Sequence, residues 1–284
     1  MHIYILYMNT NLCLYFTRCS SQPLSETYIQ HGTEYKCNVT AVPLVVVEEI
    51  LMNLPADHVV LNCRLVCHEW KELVDSAAHW RARCRREGLK SSRPPDDWCL
   101  FYFQSKKRRN LLKNPRADDC LNGWEIVRNG GDGWEAHDTR NPFPDSTLGI
   151  THCFVTSFGL CLKQQLIDLK KEGYSPAFMD HWQPNIKISD WYTPRSDCGS
   201  YYEICVRLLG QNKEVIRTFQ PDKVYFPQWN DEQWCHMTHV FKNYGPGVRF
   251  IHFIHGGKDT KFWKGWYGIR LTNSSVEICP DDDA

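Results

Sequence analysis

Two aromatic rings and an ammonium stand in consecutive positions near the end of the chain: Phe262, Trp263 and Lys264, inside the run GGKDTKFWKGWYG of residues 256–268. Glycines bracket them on both sides. A core rarely needs two bulky rings and an ammonium on a glycine-flanked loop, whereas a surface loop of this kind offers flat apolar faces beside a hydrogen-bonding arm. The chemistry that fits is sugar recognition, because each pyranose has an apolar C–H face and a rim of hydroxyls that donate and accept. The competing account is packing, with Trp263 and Trp266 both plugging the end of a β-sandwich, as large apolar rings often do. Gly256 and Gly257 are expected to open the loop and Lys258, Asp259 and Thr260 to form its polar apex. From Tyr267 an alternating strand with one buried face is expected to follow.

Other reactive side chains form weaker patterns. Asp190, Asp197 and Asp259 are of the type that supplies the two carboxylates of a glycosidase. No nucleophile or acid/base pair accompanies them in a motif, and acids at such positions commonly cap turns. Cys63 and Cys67 with His68, and Cys235 and His236 with His239, each lack a second pair of zinc ligands at proper spacing. The expectation is therefore no catalytic residue, no metal and no cofactor.

The bounds agree with a binding protein. The 284 residues give room for two domains. The 33 basic and 33 acidic residues cancel, so no net field draws the chain to nucleic acid or an anionic membrane. The basic runs at 81–93 and 106–109 come with no phosphate loop or RNA-binding aromatic motif and read as solvated faces of linker helices. No run of 18 apolar residues exists, hence no membrane span is expected. The 14 cysteines are scattered without paired spacings, mostly in apolar runs, which suits reduced thiols and a cytoplasmic protein. Residues 1–16 are apolar but interrupted by Asn9, Thr10 and Asn11, and they lack a basic start. They make a poor secretory signal, although Cys19, Ser20 and Ser21 offer small residues for cleavage. Residues 1–40 are read as a disordered or mispredicted extension. A secreted lectin is the rival reading, and only then would the sequons at Asn38 and Asn273 matter.

Two kinds of element must position these groups. From Val42 to Trp80 apolar residues recur at helical spacing in two segments divided by Pro55, with Asp57 expected to cap the second. That second helix would put Leu61, Leu65, Val66, Trp70, Leu73 and Val74 on one face. A unit this small cannot bury its apolar surface alone and should dock on something. Farther on, residues 186–192, 202–209, 215–219, 224–226, 237–241 and 248–254 read as short strands, which indicates an antiparallel sandwich or jelly roll. Residues 129–134 (NGGDGW) read as the turn between two short strands, and residues 164–172 as a short helix stopped by Gly173.

At this point the helical segment resembles an F-box. The resemblance rests on Pro43, Leu44, Ile50, Leu51, Leu54, Pro55, the run LVCHEW that includes Leu65, Val66 and Trp70, and on Trp80. It implies that these residues dock on a Skp-type adaptor, which joins the chain to a cullin ubiquitin ligase. Leu44 departs from the pattern, which usually has an acidic residue there.

The remainder is similar to the F-box-associated domain of the sugar-recognising F-box proteins. The matching stretches are RNLLKNP, NGGDGW, CFVTSF, QLIDLKKEGY, DWYTPRSDCG, NYGPGVRFIHF and HGGKDTKFWKGWYG. The resemblance implies an α+β multidomain chain, a small all-α F-box joined by a helical linker to a jelly-roll-like antiparallel β-sandwich of ten strands. The expected organisation is F-box at 41–85, linker at 86–114, sandwich at 115–280 and an acidic tail at 281–284. It further implies binding of high-mannose N-glycans at the chitobiose core through Phe158, Asp197, Phe262, Trp263 and Lys264, and presentation of misfolded glycoproteins for ubiquitination. Phe262 stands where the sugar binders usually have Tyr. Some relatives with altered loops bind no glycan, so a glycan-independent binding module is the alternative.

Overall fold

A computed structural model describes residues 42–91 and 93–280 and the backbone of two strands near the start, β1 (Ile3–Met8) and β2 (Asn11–Phe16). These two pair antiparallel, with Ile3 opposite Phe16. The rest of that extension, including the residues at 19–21 and the sequon at Asn38, and the acidic tail lie outside the described residues. The chain divides into two compact units, one of residues 1–90 with 96–103, the other of 91–95 with 104–284.

The helical unit contains α1 (Leu44–Asn53), α2 (Ala56–Leu61), a 3-10 turn at Cys63–Leu65, α3 (His68–Asp75) and α4 (Ala77–Arg86). A further helix, α5 (Trp98–Lys107), lends it Phe101 and Tyr102. The single long second helix is not found. Pro55, not Asp57, precedes α2, and Asp57 lies inside its first turn. Asn62, whose side chain bonds back to His58 at 3.1 Å, ends that helix, and extended backbone at Cys67 separates it from α3. Leu61 and Leu65 consequently face outward. The core is built from Val47, Leu51, Val59, Trp70, Val74 and Trp80. Buried Arg83 closes the end of α1 by donating to the carbonyls of Leu51 and Leu54, each at 2.7 Å, groups that a helix leaves unpaired at its C-terminus.

The second unit is an antiparallel sandwich of two sheets. One has the order β10 (Val224–Phe226), β8 (Ser200–Leu209), β12 (Phe250–Asp259), β6 (Cys161–Asp168), β3 (Glu125–Asn129), with β9 (Val215–Phe219) sharing the outer edge of β8. The other has the order β11 (Cys235–Phe241), β7 (Asn185–Thr193), β13 (Arg270–Cys279), β5 (His152–Val155), β4 (Glu135–Asp138). The described strands of the sandwich thus exceed the ten implied by the resemblance by one. Period-two alternation explains β8: Tyr202, Ile204, Val206 and Leu208 are buried between the sheets, and Glu203, Cys205 and Arg207 point the other way.

Two local expectations fail for physical reasons. Residues 164–168 belong to strand β6, not a helix; Leu166 is exposed on the outer face of that alternating strand, and Leu169 is buried where the chain turns, its carbonyl accepting from the Tyr174 N–H. The run 129–134 is the turn between β3 and β4, as expected, although those strands belong to different sheets and form no hairpin. Gly256 and Gly257 lie within β12, where a Cβ would fall on the carbonyl oxygens of Cys161 and Tyr201 in the neighbouring strands. They are there for close approach, and the loop begins after them.

A polar network crosses the core. Lys163 Nζ meets His255 Nε2 at 2.5 Å, His255 Nδ1 meets Asp190 Oδ2 at 2.6 Å, and Asp190 also accepts from Tyr202 and Ser274, each at 2.7 Å. Burial pushes the Lys163 amine well below its usual value and the His255 ring down to about 4. The imidazole is therefore neutral, giving its Nδ1 proton to the carboxylate and accepting from the amine. Lys163 lies 3.1 Å from the centre of the Trp124 ring.

Candidate functional site

The loop between β12 and β13 is held from below by Asp259. This side chain is buried, and its Oδ1 accepts from the backbone N–H of Lys261 at 2.8 Å and of Phe262 at 2.6 Å. Those two bonds fold the backbone into a tight turn that leaves Phe262 at φ +58°, a conformation costly for a residue with a Cβ. Gly265 ties the far side: its N–H donates to Asp132 Oδ2 at 2.7 Å, and its carbonyl accepts from Ser157 Oγ at 2.7 Å. Ser157 Oγ in turn accepts from the Asp132 N–H at 3.0 Å.

These bonds explain the glycine-rich run at 129–134. Any Cβ on Gly159 would fall on the backbone of Gly130 and Gly131, so the two turns touch main chain to main chain. That contact sets Phe158, half-buried, beside the loop.

The two indoles divide the roles that the sequence left open. Trp266 turns inward against His137, with ring centroids at 5.9 Å and its Nε1 buried. Trp263 keeps 39% of its surface exposed and meets the Tyr267 ring edge-on at 5.6 Å, while Phe262 is 69% exposed. Lys258 lies over one face of Phe262, 4.6 Å from its centre. Lys264 is exposed.

Asp197 reaches the same rim through Arg195. The guanidinium grips both carboxylate oxygens, Nε to Oδ1 at 2.5 Å and Nη2 to Oδ2 at 3.0 Å, and also covers the Tyr267 ring at 4.2 Å. The Arg195 hydrogen bond holds the Asp197 carboxyl below the usual carboxylate range, so it is an ionised acceptor at neutral pH with lone pairs left on each oxygen. Contacts thus run from Asp197 through Arg195 and Tyr267 to Trp263, and from Phe158's turn to Gly265. Phe262, Trp263 and Lys264 share one loop, to which Asp197 is linked through Arg195 and Tyr267 and the turn of Phe158 through Ser157 and Gly265. Arg195, Tyr267, Asp259 and Asp132 all lie within the runs DWYTPRSDCG, HGGKDTKFWKGWYG and NGGDGW, but local sequence does not show that they support the rim, because each acts on a partner in another segment or through the backbone.

The other two carboxylates do not form a catalytic pair. Asp190 is spent in the core network and Asp259 on the loop's backbone. Among the described residues no group of three His, Cys, Asp or Glu gathers as for a metal ion, and no helix is long and apolar enough to cross a membrane. The described cysteines carry no disulfide, and burial pushes the Cys153 thiol up to about 12.

On the helical unit the residues expected to meet an adaptor separate into two groups. Pro43, Leu44, Pro55 and Leu65 are exposed, Leu65 to 74%, and Val45 and Leu61 join them. Ile50, Leu54 and Val66 are half-buried. Leu51 and Trp70 are buried in the unit's own core, so they support the outward face and do not form it.

Comparison with known proteins gives the same division of the chain. A model of the F-box domain matches residues 41–82, and a model of the F-box associated region matches residues 102–278. F-box only protein 6 of Bos taurus is 45% identical over 250 residues, spanning 85% of this chain and 93% of that protein. Human F-box only protein 44 is 43% identical over 250 residues, spanning 86% and 97%. Among solved structures, the module TmCBM61 in complex with β-1,4-galactotriose is similar with a TM-score of 0.37 and 9% identity, over 59% of this chain and 97% of that one. A helical F-box followed by a two-sheet sandwich that matches the associated region over most of its length makes this chain a member of the family of F-box only proteins that carry an F-box associated region.

Proposed function

We propose that this chain is the substrate-recognition subunit of a Skp-cullin-F-box ubiquitin ligase, an adaptor without catalytic residues of its own. It binds high-mannose N-glycans at their chitobiose core on misfolded glycoproteins in the cytoplasm, and promotes their ubiquitination during endoplasmic-reticulum-associated degradation. The observation that carries this reading is the exposed Trp263 on a loop fixed at both ends beside an ionised carboxylate. In it the indole lies on a sugar face, Phe262 and Phe158 frame it, Asp197 accepts hydroxyl protons and Lys264 donates to hydroxyl or acetamide oxygens. The outward apolar residues of the F-box unit supply the docking surface for a Skp-type adaptor.

Hydroxyl contacts exchange water for protein and net about 1 kcal/mol each. Covering an indole and a sugar face together contributes on the order of 1–3 kcal/mol. Calorimetry of the full-length protein with an oligomannose glycan containing the chitobiose core should therefore show Trp263→Ala weakening binding roughly ten- to a hundredfold. Lys264→Ala should cost less, and Phe262→Tyr should match or improve on the parent. A parent protein that binds no glycan would move the chain to the glycan-independent alternative.

A further inference from the structure

A second exposed indole stands on a segment bonded to the turn that presents Asp197. Trp229 is 77% exposed, more than any other large hydrophobic side chain of the described residues, and its backbone is left-handed, φ +63°. An exposed residue with a Cβ normally escapes such a conformation, which is tolerated only where the surroundings over-determine it. They do so here. The Trp229 N–H donates to Ser196 O at 2.8 Å, and Gln228 Nε2 donates to Asp197 O at 3.1 Å. Asn230 Nδ2 donates to Arg195 O at 2.9 Å and to Pro227 O at 2.8 Å, and its Oδ1 accepts from Glu232 N at 2.9 Å. Glu232, itself at φ +54°, is locked by its ion pair with buried Arg270 at 2.5 Å.

All the partners of the Trp229 segment on one side belong to residues 195–197, the turn that presents Asp197. The backbone that carries the indole is therefore fixed against that turn, and Arg195 links the turn to both segments, over the Tyr267 ring and through its carbonyl to Asn230. Left-handed non-glycine residues occur in both segments, Phe262 in one and Trp229 and Glu232 in the other. The hydrogen bonds hold the Trp229 backbone to the turn of Asp197, so the flat apolar ring starts from a defined place beside that carboxylate. The ring's sequence neighbours are polar, with Asp231 and Gln233 both exposed. A lone indole among donors and acceptors suits a sugar and not an apolar peptide segment, which needs continuous apolar area.

We propose that Trp229 is a second sugar-stacking platform, which takes a hexose of the glycan lying beyond the two residues held at Trp263 and Asp197. The inference rests on the glycan reading of that rim and deepens it: the protein reads the branched part of the glycan as well as its core.

The test uses full-length protein and two probes, N,N′-diacetylchitobiose and an oligomannose glycan that contains it. Trp229→Ala should weaken the oligomannose glycan roughly three- to tenfold and leave chitobiose unchanged, and Trp229→Tyr should restore most of the loss. Unchanged affinity for both probes would overturn the inference while leaving the rim's function intact. Equal losses on both would also overturn it, placing Trp229 at the core site. A loss seen with a glycoprotein but not with the free glycan would overturn it in favour of a polypeptide contact. A parent protein that binds neither probe would overturn the glycan reading itself, and this inference with it.

Discussion

Asp259 gives the sharpest test of how the candidate site is built, because it lies under the loop and points no atom at the rim. Replacing it by Ala removes two hydrogen bonds to a carboxylate, from Lys261 and Phe262. Bonds to charged acceptors contribute about 1.5–3 kcal/mol each. Against that, the substitution also removes a buried carboxylate whose Oδ2 has no partner, relieving about 1–3 kcal/mol of desolvation. The global cost should thus be modest, about 1–3 kcal/mol. The local effect is larger, since nothing else on the near side holds Phe262 at its left-handed backbone angle. The Asp259→Ala protein should therefore melt only slightly lower than the parent, yet exchange the amides of Lys261 and Phe262 at least about tenfold faster in hydrogen exchange, a loss of about 1.4 kcal/mol of local protection. Glycan affinity should fall in parallel, as ordering the loop is then charged to binding. If those two amides keep the parent's protection, Asp259 does not organise the loop and the account of the site is wrong.

Three further outcomes are expected. Leu65→Asp, on an exposed side chain, should abolish co-purification with a Skp-type adaptor and leave the melting of both units unchanged; retained adaptor would refute the docking face. Gly159→Ala forces the turns at 130–131 and 157–159 apart and should destabilise the sandwich by about 1–3 kcal/mol in urea unfolding, with glycan binding reduced as Phe158 shifts. His79 is buried with neither ring nitrogen bonded, and burial pushes its pKa down to about 4. The unfolded chain binds a proton there below about pH 6.5 that the folded unit refuses, so stability is full above that pH. It should fall by about 1.4 kcal/mol per pH unit toward pH 4, and His79→Leu should flatten that slope in urea titrations followed by far-ultraviolet circular dichroism.

What the sequence made legible were features with a short period. The alternation along β8 and the helical spacing of Val47 and Leu51 report directly which face is buried. The failures share a cause. Leu166 and Leu169 are three apart as in a helix, but one lies on the outer face of a strand and the other begins a turn, and two residues are too few to tell these apart. Leu51 and Trp70 look like contacts for a partner because an apolar pattern does not distinguish a unit's own core from a surface offered to another chain. Likewise Gly256 and Gly257 promise a turn, while their use here is backbone contact across a distance in sequence that no local pattern records, a contact that Gly130 and Gly131 add to the turn they do form. Arg195 supporting both Asp197 and Tyr267 is of that kind too.

The network of Lys163, His255, Asp190, Tyr202 and Ser274 has a consequence for how this sandwich can diverge. Apolar faces attract without direction and tolerate sliding, whereas the atoms of this network meet in only one alignment of the two layers. Its members sit on the strands whose ends carry the rim. Lys163 follows the turn of Phe158, Asp190 and Tyr202 flank the turn of Asp197, and His255 and Ser274 flank the loop of Phe262 and Trp263. The spacing between the three turns is therefore written in the interior, away from anything they touch. Exchanges at the rim itself, such as a phenylalanine in a tyrosine's place, can change what is grasped without moving the neighbouring turns, so the fold can trade ligands through surface substitutions alone while its geometry is inherited intact.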